Sequence, residues 1–274
     1  MAQPRYLQIA DDLRNKILDD RQAESGEFKP GARLPTEDQL GESYEASRNT
    51  IRDAIKRLIN LGLVETRPGQ GTFVTLDIDP FVTVLTNDAK TGFGGGEGAT
   101  YLSAVSDRHR KPSVSLPRVE VQVPPAAIAR RLRLPLDAQV VSRHEQRFID
   151  GTLWSLQTSF YPLEFIQEGA VNLIMAQNIE EGTVRYLAKT INVRQTGYRD
   201  WVTARLPNDQ EQELFGIGHN STVFEIFRTA FDQNNNPMRL TVTVYPADRN
   251  QFIVNVGDDL PDPKYDEESG EPVA

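Results

Sequence analysis

The stretch from Ala46 to Thr75, ASRNTIRDAIKRLINLGLVETRPGQGTFVT, most constrains what this chain can fold into. It starts with a serine suited to cap a helix, continues as an apolar stripe at helical spacing, and stops at Gly62. Two short β-rich runs then flank a Pro-Gly-Gln-Gly sequence that is typical of a turn. The order of these signals predicts a recognition helix followed by a wing.

Two further helices are predicted before this stretch. Apolar residues from Tyr6 to Ile17 recur one helical turn apart, which predicts a helix from residue 5 to about residue 20. After a loop rich in glycine and proline, Thr36 stands three residues before Gln39, the spacing of a capping box, and predicts a helix that ends near Tyr44. The sequence therefore predicts a winged helix-turn-helix over residues 1–76.

From Pro117 the pattern changes to the period of two that marks strands. One predicted hairpin turns at Asp150-Gly151, a second spans residues 222–245, and a short edge strand follows at residues 252–254. Because the neighbouring strands are joined as hairpins, residues 117–257 are predicted to form an α+β domain with a mostly antiparallel sheet and helices on one face.

Two segments lack a core-forming pattern. Residues 77–116 show no sustained period and hold a glycine cluster, so they are predicted to be a linker. Residues 258–274 hold one lysine against seven acidic residues and several prolines, which predicts an acidic disordered tail.

The formal net charge of −9 argues at first against a nucleic-acid partner. The tail, however, carries much of this acidity, whereas residues 47–67 hold five basic residues against Asp53 and Glu65. Since the charge of the docking face matters more than the total, double-stranded DNA remains the expected partner.

Composition also limits the other classes of function. The chain has no cysteine, no apolar run long enough for a membrane helix and no signal peptide, so a cytoplasmic protein without a membrane partner is expected. Three scattered histidines predict no metal site. No pair of carboxylates is marked for acid–base chemistry, so no catalytic residue and no cofactor is assigned.

Residues 5–75 resemble the winged helix-turn-helix of the GntR family of bacterial transcription regulators. The motifs that carry the resemblance are Tyr6-Leu-Gln-Ile-Ala, Pro30-Gly31 with Leu34-Pro35-Thr36-Glu37, Ser47-Arg48-Asn49-Thr50-Ile51-Arg52 and Gly69-Gln70-Gly71-Thr72-Phe73-Val74. Residues 117–257 resemble the UTRA effector domain of the HutC branch, whose fold is like that of chorismate lyase. Here the matching pieces are Ser159-Phe160-Tyr161-Pro162, Leu214-Phe215-Gly216-Ile217 and Asp248-Arg249.

The resemblance implies a homodimeric repressor that binds a two-fold symmetric DNA operator and responds to a small-molecule effector. Arg48 and Arg52 lie one helical turn apart, so both can reach one stretch of major groove. The predicted DNA-binding residues are Ser47, Arg48, Asn49, Thr50, Arg52, Gly69 and Gln70. Asp38 stands where some relatives carry an arginine, and an aspartate does not bind phosphate.

The resemblance also implies an effector pocket lined by Arg147, Gln157, Ser159, Arg239 and Tyr245. Relatives that sense amino-sugar phosphates carry an Arg-x-Arg pair before the first hairpin and two glutamates on later strands. In this sequence the pair reads Glu145 and Arg147, and the glutamate positions read Gln157 and Arg239. A phosphosugar effector is therefore disfavoured. Two alternatives stay open: a ligand-independent regulator of plasmid transfer or maintenance, and a chorismate-lyase-like enzyme.

Overall fold

The computed structural model describes residues 3–21, 26–67, 69–75, 80–86, 98–219, 221–256, 264–265 and 272–273. The chain folds as two units. The first contains residues 1–79 together with residues 208–220, and the second contains residues 80–207 and 221–274. Among the residues described, no helix is long and apolar enough to cross a membrane.

The first unit is a three-helix domain with a small sheet, as the sequence predicts. Its elements are α1 (Arg5–Arg21), α2 (Glu37–Ser43), α3 (Arg48–Asn60), β1 (Val64–Arg67) and β2 (Gly71–Val74). The predicted apolar stripes meet in one core, in which Leu13, Ile17, Ile51 and Leu58 are fully buried. The predicted capping box between Thr36 and Gln39 starts α2.

The backbone of β2 in the wing pairs with a second segment in addition to β1. Leu34 N–H donates to Thr72 O at 2.7 Å, and Val74 N–H donates to Ala32 O at 2.8 Å. Arg33 forms an antiparallel bridge with Phe73. The segment before α2, predicted to be a loop, thus runs along β2 as a third strand-like segment of the wing.

The second unit is built on a seven-stranded sheet. The strands described in this unit are β3 (Phe81–Val84), β4 (Pro112–Val114), β5 (Arg118–Gln122), β6 (Val140–Ile149), β7 (Thr152–Pro162), β8 (Gln195–Arg205), β9 (Val223–Asp232), β10 (Pro237–Pro246), β11 (Asn250–Ile253), β12 (Lys264–Tyr265) and β13 (Pro272–Val273). Strands β4 to β10 form the seven-stranded sheet, which we call the main sheet. The helices of this unit are α4 (Gly98–Ser106), α5 (Ala126–Arg131), α6 (Glu164–Gln167), a 3-10 helix (Val171–Ile174) and α7 (Thr183–Ile191). Helix α8 (Asp209–Phe215) groups with the first unit.

The main sheet is antiparallel in every described strand pair. Its order is β4-β6-β7-β10-β9-β8, with β5 also paired to β6. Asp150 and Gly151 both have positive φ angles at the β6–β7 turn, which fits the tight hairpin predicted there. The sheet confirms the predicted fold class.

Helices cover both faces of this sheet rather than the single face predicted. Helix α5 packs on one face through Ile128 and Leu132, against Val140 and Leu240. The α6, 3-10 and α7 segments pack on the opposite face, for example through Leu187. The reason is that the central strands carry buried residues at consecutive positions, so neither face can be left to solvent.

Parts of the predicted linker and edge strand are placed differently from the prediction. Of residues 77–116, β3, α4 and β4 belong to the second unit, and β4 joins the main sheet through β6. The strand predicted at residues 252–254 is β11, which pairs in parallel with β3 instead of extending the main sheet. Local sequence pattern cannot reveal such a distant partner.

Two predictions fall largely outside the described residues. Most of the glycine cluster precedes α4, and only Gly98 of it is described. Within the predicted disordered tail, the described residues are those of β12 and β13, which pair with each other.

Candidate DNA interface and effector-binding face

The N-terminus of α3 is capped by Ser47. Ser47 Oγ accepts a hydrogen bond from Thr50 N–H at 3.2 Å and lies 2.8 Å from Thr50 Oγ1. This capping fixes the direction in which the helix starts. The side chains of Arg48 and Asn49 are exposed on the first turn, and Arg52 is exposed on the next. Ser47, as the N-cap, and the four α3 residues predicted to bind DNA therefore lie together at the start of one helix.

Glu37 on α2 holds both predicted DNA-reading arginines. Glu37 Oε2 accepts from Arg48 Nε and from Arg52 Nη2, each at 3.0 Å, and Glu37 Oε1 accepts from Arg52 Nε at 3.3 Å. Hydrogen bonds from Arg52 and Arg48 lower the pKa of the Glu37 carboxyl, so it stays ionised at neutral pH. Sequence spacing did not reveal this contact, because Glu37 lies on another helix.

The turn between α2 and α3 is tied to α1. Tyr44 Oη donates to Asp12 Oδ2 at 2.6 Å, Lys16 Nζ donates to Tyr44 Oη at 3.1 Å, and Arg5 Nη2 donates to Tyr44 O at 2.9 Å. These bonds add to the apolar packing of α1 against α3. The turn that sets the angle of α3 is thus held by α1 on its polar side as well.

At the wing, Gly69 and Gln70 are exposed at the tip. Gly69 has a φ of +71°, a conformation that glycine adopts without strain, and Gln70 N–H closes the turn on Arg67 O at 3.0 Å. Arg67 itself is held within the wing, since its Nη2 lies 2.7 Å from Glu65 Oε1 and its guanidinium covers the ring of Phe73.

The five residues predicted for the effector pocket share one face of the main sheet. Cross-strand pairing sets Gln157 beside Thr243 and Ser159 beside Thr241, and alternation along each strand places the others on the same side. We call this side the polar face. Its predicted members Arg147, Gln157, Ser159, Arg239 and Tyr245 are all buried, with 2–8% of their surface exposed.

Three oxygens on and above the polar face have unmet hydrogen bonds. Ser155 Oγ, Gln157 Oε1 and Tyr101 Oη are buried and have no hydrogen-bond partner among the described residues. Arg147 lies over the ring of Tyr101 at 4.9 Å. Burial raises the pKa of the Tyr101 phenol above its ordinary value, so the hydroxyl stays protonated and can donate. Buried polar atoms left in this way call for a ligand or ordered water.

Two other buried arginines on this face are occupied by structural contacts. Arg143 donates to the carbonyl oxygens of Leu173, Met175 and Gln177 at 2.8–2.9 Å and so holds the loop after the 3-10 helix. Arg228 forms a two-pronged ion pair with Asp200 on β8. Their burial therefore follows from the fold and does not require an effector.

A separate cleft of about 480 Å³ opens near α5 and α6. It is lined by Val123, Leu134, Pro135, Asp137, Ala138, Gln139, Pro162, Leu163, Glu164 and Gln167. None of these residues belongs to the polar face, and none has an unmet buried polar atom. Unmet buried polar atoms thus lie at the polar face, whereas the polar residues of the cleft, such as Asp137 and Glu164, have none.

Comparison with known protein families agrees with both halves of this architecture. Residues 5–74 match the model of the bacterial regulatory proteins of the gntR family, and residues 107–251 match the UTRA domain. The second match alone spans more than half of the chain. The chain belongs to the GntR family of regulators with a UTRA domain. This confirms the family and the HutC-like order of domains expected from the sequence.

Relatives of this GntR regulator share its full length at low identity. The chain is 23% identical over 253 residues to the uncharacterized HTH-type transcriptional regulator YurK of Bacillus subtilis, covering 92% of this chain and 95% of YurK. It is 25% identical over 247 residues to a probable fructoselysine utilization operon transcriptional repressor of Escherichia coli, covering 86% and 90%. The crystal structure of a GntR-family regulator matches with a TM-score of 0.57 and 26% identity, covering 93% of this chain and 98% of that one.

The GntR family regulates transcription and binds DNA through the helix-turn-helix, so this chain is a transcription regulator with a UTRA effector domain. Within the described part of the chain, no three histidine, aspartate or glutamate side chains group in a way that would hold a metal ion.

Proposed function

We propose that this GntR regulator is a cytoplasmic, non-catalytic homodimeric repressor that binds a two-fold symmetric operator and releases it when a small polar effector occupies the polar face. The observation that carries the proposal is the placement of Arg48 and Arg52. Both project from the first turns of α3, beside a wing whose tip is exposed. An arginine pair on one helical face suits bidentate donation to guanine in the major groove.

Binding to DNA is tested by selecting duplexes from a random pool with the wild-type protein and measuring gel shifts on the selected duplex. Arg48→Ala is expected to weaken binding to the selected duplex by about 1–3 kcal/mol and to relax preference at the base it contacts. Arg57→Ala is the matched control, because it removes the same charge from the last turn of α3. Equal binding by Arg48→Ala and Arg57→Ala, or failure to enrich any sequence, contradicts the proposal.

The homodimer is supported by the edge of the main sheet. β8 is eleven residues long and, among the described strands, pairs only with β9. Trp201 and Val202 on it are 55% and 47% exposed, one on each side of the strand. A second copy that pairs its own β8 with this edge would bury both side chains and satisfy the free backbone groups.

Light scattering on the wild-type protein measures the expected dimer. Trp201→Lys is expected to shift the protein toward monomer, whereas a lysine substitution at Leu206, which is exposed beyond the end of β8, leaves the dimer intact. A monomeric wild type, or a Trp201→Lys variant that dimerises as well as wild type, contradicts the proposed interface.

Effector binding is supported by the buried oxygens of Ser155, Gln157 and Tyr101, whose hydrogen-bonding capacity is unmet. Glu145 is half-buried next to Gln157 across the β6–β7 pair, and its negative charge opposes a phosphate group there. A neutral or zwitterionic ligand that is rich in hydroxyl groups fits this combination of donors and acceptors.

Thermal unfolding against a library of unphosphorylated sugars and polyols tests this part of the proposal. A ligand that binds only the folded protein raises the melting temperature, and Gln157→Ala is expected to abolish the rise. The ligand should also weaken the gel shift. If no compound raises the melting temperature while selected DNA still binds, the proposed class of effector is wrong.

A further inference from the structure

Arg33 lies beside the wing, although it precedes α2 in sequence. Its backbone bridges Phe73 on β2, and the hydrogen bonds of Ala32 and Leu34 hold it in that position from both sides. The side chain is exposed. Arg33 is therefore a residue of the wing in space, a position that the helix-turn-helix motif in the sequence does not indicate.

The wing leaves room for the Arg33 guanidinium at Gly71. A Cβ atom placed on Gly71 would lie 2.8 Å from Arg33 Nε, closer than real Cβ atoms approach, and 3.2 Å from Arg33 Nη2. The absence of a side chain at Gly71 thus lets the guanidinium lie along the backbone at the end of the turn. The cation therefore lies near the exposed tip formed by Gly69 and Gln70.

Of the two arginines of the wing, Arg33 is the one that pairs with no described acidic side chain. Arg67, the other arginine of the wing, is paired with Glu65 and stacked on Phe73. Arg33 has no hydrogen bond or ion pair with any residue that the structure describes. Within the proposed DNA interface, α2 begins with Glu37 and Asp38, so its N-terminus contributes negative charge to the surface that would face DNA. Affinity for a duplex has to come from cations placed elsewhere.

We propose that Arg33 binds a backbone phosphate of DNA beside the groove that the wing enters. This rests on the proposed function, since it assumes that the wing faces DNA. An arginine fork suits a phosphate, and neutralising a phosphate strengthens binding to every sequence because it releases a counterion. Arg33 is thus a source of sequence-independent affinity, whereas Arg48 and Arg52 read the bases.

The test compares wild type with Arg33→Gln and Arg33→Lys by measuring affinity against salt concentration. The probes are a duplex selected by the wild type and a scrambled duplex of the same composition. Arg33→Gln is expected to weaken both duplexes by a similar factor and to reduce the slope of log affinity against log salt by about 0.9 for each phosphate that is no longer neutralised. Arg33→Lys, which keeps the charge, is expected to keep the wild-type slope.

Arg14→Gln is the matched control, because it removes one exposed positive charge from α1 of the same unit. An unchanged slope for Arg33→Gln, a slope change equal to that of Arg14→Gln, or weakening confined to the selected duplex overturns the assignment. So does an Arg33→Lys variant that behaves like Arg33→Gln, because the side chain would then act only by packing at Gly71. If the wild type does not prefer its selected duplex, the proposed function fails instead, and the salt slope on scrambled DNA still decides the role of Arg33.

Discussion

Asp200 on β8 accepts two hydrogen bonds from Arg228 on β9, from Nε to Oδ1 at 2.8 Å and from Nη2 to Oδ2 at 2.6 Å. Both side chains are largely buried, at 12% and 5% exposed, and the Arg228 guanidinium also covers the ring of Tyr198 at 4.0 Å. The pair joins the edge strand to the rest of the sheet on the polar face.

Asp200→Asn is expected to destabilise the second unit by about 3–5 kcal/mol, because it removes a carboxylate that forms a two-bond ion pair with the buried Arg228 guanidinium. Urea unfolding followed by tryptophan fluorescence measures the change. The double variant Asp200→Leu with Arg228→Met should recover much of this stability, since it leaves no buried charge. A double variant no more stable than Asp200→Asn would show that packing, and not charge, holds this position.

Glu37→Gln is expected to raise the affinity for scrambled DNA several-fold and to reduce the ratio of selected to scrambled binding. If Arg48 and Arg52 bind DNA as proposed, the Glu37 carboxylate competes with DNA for them, and it also fixes the direction of both side chains. Gel shifts on the two duplexes measure the ratio. Asp53→Asn is the control and should change the ratio less, because Asp53 forms its ion pair with Lys56 and makes no hydrogen bond to Arg48 or Arg52 among the described residues. A weaker affinity of Glu37→Gln for both duplexes would contradict the competition.

Tyr44→Phe is expected to lower the stability of the first unit at neutral pH. It is also expected to make that stability fall less as the pH is lowered. The hydrogen bond from Tyr44, followed by that from Lys16, lowers the pKa of Asp12 below its ordinary value of 3.8. A carboxyl with a lowered folded pKa stabilises the protein above its unfolded pKa and loses that contribution as pH falls through the folded pKa. The difference between wild type and Tyr44→Phe should thus shrink below about pH 4.

The size of this effect is limited by solvent. The Asp12 side chain is 50% exposed, so screening keeps the contribution to about 1 kcal/mol or less. Thermal unfolding at neutral and acidic pH measures it. A difference between the two proteins that stays constant with pH would show that Tyr44 contributes through packing alone.

Gly71→Ala is expected to destabilise the first unit by more than Gly69→Ala does. Gly71 has a φ of +116°, which L-residues rarely adopt, and the new Cβ would meet Arg33. Gly69 has a φ of +71° with open space around it, so alanine there meets only the backbone strain, about 1 kcal/mol. Thermal unfolding ranks the two variants. Equal destabilisation at both glycines would mean that neither the φ angle of Gly71 nor its closeness to Arg33 adds to the cost of an alanine there.

Where local chemistry decides a structure, the sequence was sufficient to predict it. Ser47 caps α3, Thr36 and Gln39 form their capping box, and Asp150-Gly151 makes the hairpin turn, each as spacing predicted. These features depend on residues a few positions apart, so their energetics can be read from a short window.

Where the deciding partner lies far along the chain, prediction from the sequence failed. The pairing of β3 with β11 joins residues about 170 positions apart, and the alignment of Arg33 with Phe73 joins residues 40 apart. The contact of Glu37 with Arg48 and Arg52 depends on the angle between two helices. Apolar periodicity identifies which face of an element is buried but not which element covers it.

The long exposed edge of β8 has a consequence for handling the protein. A strand with one open edge and apolar side chains on both of its faces is a template for further strands, so a monomer is prone to aggregate as well as to dimerise. In isolated C-terminal fragments the β8 edge is exposed unless a dimer covers it. An effector should therefore raise the solubility of such fragments only if it also favours the dimer. Charged substitutions at Trp201 should therefore reduce turbidity during refolding, even while they remove the proposed partner.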